Sequence, residues 1–217
     1  MTRTARISGE QRRERIIDAA IELFSEAGFA GTTTRRLAEA AGVSEAALYL
    51  HFETKEALYE AIIRRKAHEH GELVERLREA MAESPERVFR EVAGSMIEIH
   101  TRDKAFLRLL LFSGLEQHAL FRMFFEAQTQ ECGDPLRSYI ETLQREGVLR
   151  PCDPRLALRA FTGMLVHHLL TQEVFGLHEL GVFGRDEAVD TFVSLFLRGL
   201  QLPAHDARSE KGGTACA

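Results

Sequence analysis

Cysteine is scarce in this chain: Cys132, Cys152 and Cys216 are an odd number, and no two of them form a CxxC pair. That usage excludes a disulfide framework, argues against a cysteine zinc site and suits a reducing cytoplasm. Long hydrophobic runs are missing too. The longest, Phe106–Phe112, is interrupted by Arg108, far short of the roughly 20 apolar residues a membrane-spanning helix requires. No membrane association is expected. The N-terminus carries arginines with no apolar stretch behind them, which is not the form of a secretory signal. Alternating β-patterns and internal repeats are absent. So are a glycine-rich phosphate loop, a nucleophile elbow and paired carboxylates, so neither a cofactor nor an enzymatic role is expected. The segment His68-Glu69-His70-Gly71-Glu72 approaches a zinc-protease helix but has Glu72 where the second histidine would stand.

What is present is helical periodicity. Ile16, Ile17, Ala20, Leu23, Phe24 and Ala27 recur at helical spacing and Gly28 supplies the stop. Thr33 or Thr34 caps a short second helix that ends at Gly42, and Ser44 caps a third with Leu48 and Phe52 inward. A fourth helix starts near Thr54 and carries Leu58, Ile62, Leu73 and Leu77. Ser84-Pro85, Asp134-Pro135 and Asp153-Pro154 each place a capping residue before a proline, the pattern of a helix start. Helices over 103–113 and 116–132 lie between them, and Asp186 opens a last helix over 187–201. The fold class is all-α, with a three-helix N-terminal domain over 1–55, a larger helical domain over 56–202 and a disordered polar tail over 203–217.

Charge is unevenly distributed in the 217 residues. Residues 1–55 hold eight Lys/Arg and eight Asp/Glu, while the remainder holds 20 and 25, which accounts for the net −5. Five arginines against two glutamates fall in the first fifteen residues. A basic arm, a neutral domain and an acidic body suit docking on DNA by one end. Residues 33–52 carry a helix, a glycine turn and a second helix within about twenty residues, the punctuation of a helix-turn-helix. Ala38 and Ala41 are small enough for the helices to cross closely, and Gly42 permits the positive φ of the turn.

The stretch from Arg12 to Ile63 resembles the DNA-binding region of the TetR family of one-component transcriptional regulators. Ile17, Ala20, Leu23, Phe24, Gly28, Thr33-Thr34, Leu37-Ala38, Ala41-Gly42-Val43-Ser44, Leu48-Tyr49, His51-Phe52 and Lys55-Glu56-Ala57-Leu58 carry the resemblance. It implies a DNA surface made of Thr33, Thr34, Arg35, Arg36, Ser44, Glu45, Ala46, Ala47, Tyr49, His51 and Lys55. Thr33, Tyr49, His51 and Lys55 suit phosphate oxygens. Arg35, with Arg36 as second choice, suits a bidentate base contact, Glu45 a cytosine amino group, and Ala46 and Ala47 thymine methyls. Ala46 departs from the family, which usually has glycine there, and Arg3 and Arg6 or DNA shape supply what this thin base readout lacks. The rival reading is a co-regulator of the same fold acting through protein contacts, against which Tyr49, His51 and Lys55 argue.

Residues 106–125 carry more Phe and Leu than one amphipathic stripe needs, which fits either a thick core or an apolar cavity with His118, Gln128 or His168 as orienting groups. The resemblance favours the cavity, for a small hydrophobic effector, with Phe106, Leu110, His118, Phe121, Phe125, Met164 and His168 as its expected residues. Adjacent His167 and His168 point about 100° apart on a helix, so one faces a cavity or seam and the other packs inward. The 154–175 helix is apolar nearly all round. With 187–201 it is expected to form a four-helix seam in a homodimer, and hence to require a near-palindromic operator.

Overall fold

A computed structural model describes residues 8–69 and 71–201, apart from the side chains of 67–72 and 120. The N-terminal arm with Arg3 and Arg6, the side chains around His68 and the tail over 203–217 lie outside the described residues. Eleven α-helices make up that structure: α1 (Gly9–Ala27), α2 (Thr34–Ala41), α3 (Glu45–His51), α4 (Lys55–Glu69), α5 (Gly71–Met81), α6 (Pro85–Arg102), α7 (Lys104–Leu115), α8 (Ala119–Gln128), α9 (Asp134–Arg145), α10 (Pro154–Leu169) and α11 (Arg185–Leu200). Leu58 and Ile62 of the fourth helix expected from the sequence lie on α4, and Leu73 and Leu77 on α5.

Local chemistry explains most of the boundaries. Ser8 and Gln11 form a reciprocal capping box at α1, and Ser84 before Pro85 and Asp153 before Pro154 cap α6 and α10. Asp134-Pro135 behaves differently. Residues 128, 133 and 134 all hold right-handed helical angles, so α8 runs into α9 through a π-turn at Thr129–Gly133, and the Asp134 N–H reaches back to the Thr129 carbonyl. The wider turn accommodates a proline that has no N–H to offer and whose ring crowds the preceding turn. Pro135 thus marks a bulge in a continuous rod and not a start. Asp186 does not cap the last helix either. Gly184 holds that position without a side-chain bond, and Asp186 sits in the first turn, where its charge meets the helix dipole.

Two large cores organise the chain. The first joins Ile16, Ile17, Phe24, Leu37 and Leu48 to Leu58, Ile62, Phe106, Leu109 and Phe124. It runs straight across the boundary expected at 55/56, because α1 packs along α7, and α4 packs on α8. The second joins α6, α9, α10 and α11 through Phe89, Phe161 and Phe196, whose rings meet at 4.7–5.1 Å.

Candidate nucleic-acid interface

The turn between α2 and α3 assembles from its own side chains. The Thr33 hydroxyl accepts from the Arg36 N–H, so Thr33 is the cap and Thr34 opens the helix. Gly42 ends α2 in the left-handed conformation (φ 68°, ψ 36°), and the Ser44 hydroxyl accepts from the Ala47 N–H to start α3. Leu37, Ala38, Ala41 and Leu48 are buried, which fixes the crossing. The two N-termini lie together, since the Thr34 hydroxyl donates to the Glu45 carboxylate at 3.3 Å.

The outer face then follows from helical geometry. Glu45, Ala46, Tyr49 and Leu50 are exposed, Tyr49 at 45% and Leu50 at 87%. Residues four apart share a face, so Tyr49 stands above Glu45 and Leu50 above Ala46. Leu50 was not expected on this face, although it lies two residues from the inward Leu48 and Phe52 and so points away from them. Arg36 is exposed and makes no ion pair among the described residues. Arg35 is exposed too, but its Nε donates to Glu39 at 3.0 Å, and that bond raises its already high pKa. Its terminal N–H groups remain to address a base edge. Ala47 and His51 are half-buried.

Lys55, expected to face a DNA phosphate, is engaged within the protein. Its ammonium turns inward and donates to the carbonyls of Phe29 (2.7 Å) and Thr32 (3.0 Å), 4.1 Å from the Phe29 ring. From the other side the Glu116 carboxylate, at the end of α7, accepts from the Phe29 and Ala30 N–H groups at 3.1 and 3.3 Å. Opposite charges thus clamp the loop that leads into α2. Gly28 makes room for the clamp: its φ is +70°, and a Cβ there would stand 2.4 Å from Glu116. Sequence reasoning could not have found Glu116, which lies 87 residues from the loop it holds.

The residues expected to form an effector cavity divide. Phe106 and Leu110 are buried in the first core, because α1 covers the excess apolar surface of α7. His118 stacks on Phe29 and Tyr59 (4.3 and 5.1 Å between ring centres), beside the clamp. Phe121 packs on Phe125, which is 50% exposed. Of the 106–125 stretch, Phe106, Leu107, Leu109, Leu110 and Phe124 are core, while Leu115, Met123 and Phe125 are exposed. Met164 and His168 instead line a cleft of about 420 Å³ between α10, α11 and the segment that joins them. His168 is the inward histidine of its pair and His167 the exposed one.

Comparison with known proteins agrees with this arrangement at both ends. Residues 16–62 match the bacterial regulatory proteins of the tetR family, and residues 87–199 match the AefR-like transcriptional repressor C-terminal domain. The chain is 30% identical to the uncharacterized HTH-type transcriptional regulator YerO of Bacillus subtilis over 64% of this chain and 49% of YerO. It is 51% identical to the class C tetracycline repressor of Escherichia coli over 24% of this chain and 23% of that repressor. The matches thus span half or less of these relatives. Among solved structures, AibR in complex with isovaleryl coenzyme A and operator DNA superposes with a TM-score of 0.65 at 24% identity, over 85% of this chain and 97% of AibR.

Proposed function

Because this chain belongs to the tetR family of bacterial regulatory proteins, we propose that it is a homodimeric repressor that seats α3 in the major groove and leaves its operator when a small hydrophobic effector binds. It acts by binding and not by catalysis. The observation that carries this reading is the capped α2–turn–α3 unit, whose outer face presents Arg35, Arg36, Ala46 and Tyr49 while its inner face is locked into a core shared with the body. The AibR complex, with its thioester and its operator, supports the pairing of DNA and effector in one fold. No helix among the described residues is long and apolar enough to cross a membrane, and the cytoplasm, with the DNA, is where we place it.

A gel shift against genomic fragments tests the DNA reading; a failure to retard any fragment would favour the co-regulator. Within the complex, Arg35→Ala is expected to relax preference at one base position per half-site by about tenfold or more, the usual worth of a bidentate base contact. An unchanged binding logo would remove Arg35 from base readout.

The homodimer rests on the outer sides of α10 and α11. Leu156 and Leu195 are 64% and 60% exposed, and the positions of Gly163 and Gly199 open onto empty space. An isologous seam there covers both leucines and places two α3 helices for half-sites about one helical turn, or a multiple, apart. The double substitution Leu156→Asp/Leu195→Asp is expected to give a monomer in sedimentation that has lost operator affinity. A dimer that persists would move the seam elsewhere.

A further inference from the structure

The cleft between α10 and α11 plays no part in docking on DNA, yet it is built as a ligand site. Its volume of about 420 Å³ falls within the roughly 300–1,000 Å³ of small-molecule pockets. Met164, Leu177, Leu180, Phe183 and Phe192 furnish apolar walls. The Gln172 amide is engaged with both backbone groups of Phe183, at 2.7 and 3.3 Å, and so ties the connecting segment over the cleft. The Thr171 hydroxyl is likewise engaged with the carbonyls of His167 and His168.

His168 differs from these. It is 7% exposed, lies edge-on to Phe192 at 5.6 Å, and its ring makes no hydrogen bond among the described residues. Burial lowers its pKa, so the ring is a neutral imidazole with one donor and one acceptor nitrogen. Its ring nitrogens are not among the fully buried polar atoms, so they open onto the cleft, where a ligand group can replace water as their partner. Charge completes the picture. Among the described residues no lysine or arginine lines the cleft, and its titratable side chains are His167, His168 and the acidic Glu187.

We propose that this cleft binds an uncharged, largely apolar molecule carrying one hydroxyl or carbonyl group, which hydrogen-bonds to His168. Carboxylates and coenzyme A esters are disfavoured, because the lining holds no lysine or arginine to pair with their charge and carries Glu187. The inference deepens the effector reading above and names its site and chemical class.

Decan-1-ol, decanoic acid and decanoyl-coenzyme A share one chain and differ in headgroup. Titrated calorimetrically into the DNA-free protein at neutral pH, the alcohol should bind, the acid about tenfold or more weakly, and the thioester not at all. His168→Leu should lower affinity for the alcohol about tenfold, the worth of one hydrogen bond. Thr191→Trp obstructs the cleft from its exposed wall and introduces the sole tryptophan of the chain. With helicity and the wild-type oligomeric state retained, this variant should lose alcohol binding. Preference for the acid or the thioester would overturn the ligand class. Undiminished binding by folded Thr191→Trp would overturn the site, as would conversion of a wild-type dimer to monomer by that substitution, which would place Thr191 in the seam with Leu195, one helical turn away. An alcohol that binds as described yet fails to release operator would leave the site standing and sink the effector role.

Discussion

Phe106→Ala is expected to destabilise the chain by about 3–5 kcal/mol, the cost of removing a fully enclosed phenylalanine. The ring is 0% exposed, meets Phe124 edge-on at 5.6 Å, and has the Lys66 ammonium 5.7 Å from its centre. It belongs to the same core as Ile16, Ile17 and Leu48, so the loss should reach the DNA-reading helices although Phe106 lies in the body. Urea denaturation with hydrogen exchange checks both parts: the midpoint should fall with the slope unchanged, and the α1 amides should lose protection together with those of α7. Phe125→Ala, at a half-exposed ring in the same phenylalanine-rich stretch, should cost less than about 1 kcal/mol. If the α1–α3 amides keep their protection in Phe106→Ala, head and body are separate cooperative units.

Lys55→Ala is expected to weaken binding to all DNA sequences without lowering the salt dependence. A lysine that neutralises a phosphate contributes about one unit to the slope of log affinity against log salt. Lys55 instead holds the carbonyls of Phe29 and Thr32, so its removal should cost about 2–3 kcal/mol of stability through two charge-assisted hydrogen bonds. The weaker DNA binding then follows from a loosened entry into α2. Glu116→Ala releases the same loop from the other side. Its carboxylate is exposed, so the stability cost should be near 1 kcal/mol, again with the slope unchanged. The two losses should be less than additive in a double-mutant cycle, since either alone frees the loop. A slope reduced by about one in Lys55→Ala, with stability unchanged, would return Lys55 to the phosphate backbone.

Much of this protein was legible before folding because its signals are local. A capping hydroxyl reaches an amide three residues on, and a left-handed glycine ends a helix, whatever the rest of the chain does. Thr33, Gly42 and Ser44 were therefore readable as the frame of a helix-turn-helix, and the 3.6-residue recurrence of Ile16, Ile17, Ala20 and Phe24 as the face that holds it. Even local signals fail where two of them overlap: Asp134-Pro135 has the form of a helix start, but a π-turn carries the helix through it.

The tertiary structure decided whatever depends on which apolar surface meets which. Composition registers the excess of phenylalanine over 106–125 but not that α1 would cover part of it, and so it left core and cavity both open. It leaves Lys55 as a generic cation, and only the return of α7 beside the loop after Gly28 sets Glu116 opposite it. His168 carried the same ambiguity. Helical geometry separates it from His167 by about 100°, but the meeting of α10 with α11 is what encloses His168 and opens the cleft beside it. By itself the sequence determined most of the helices, the caps at Thr33, Ser44, Ser84 and Asp153 and the reading head, because these need only neighbours along the chain. The folded structure decided the clamp, the shared core and the cleft, because each brings together residues of separate helices.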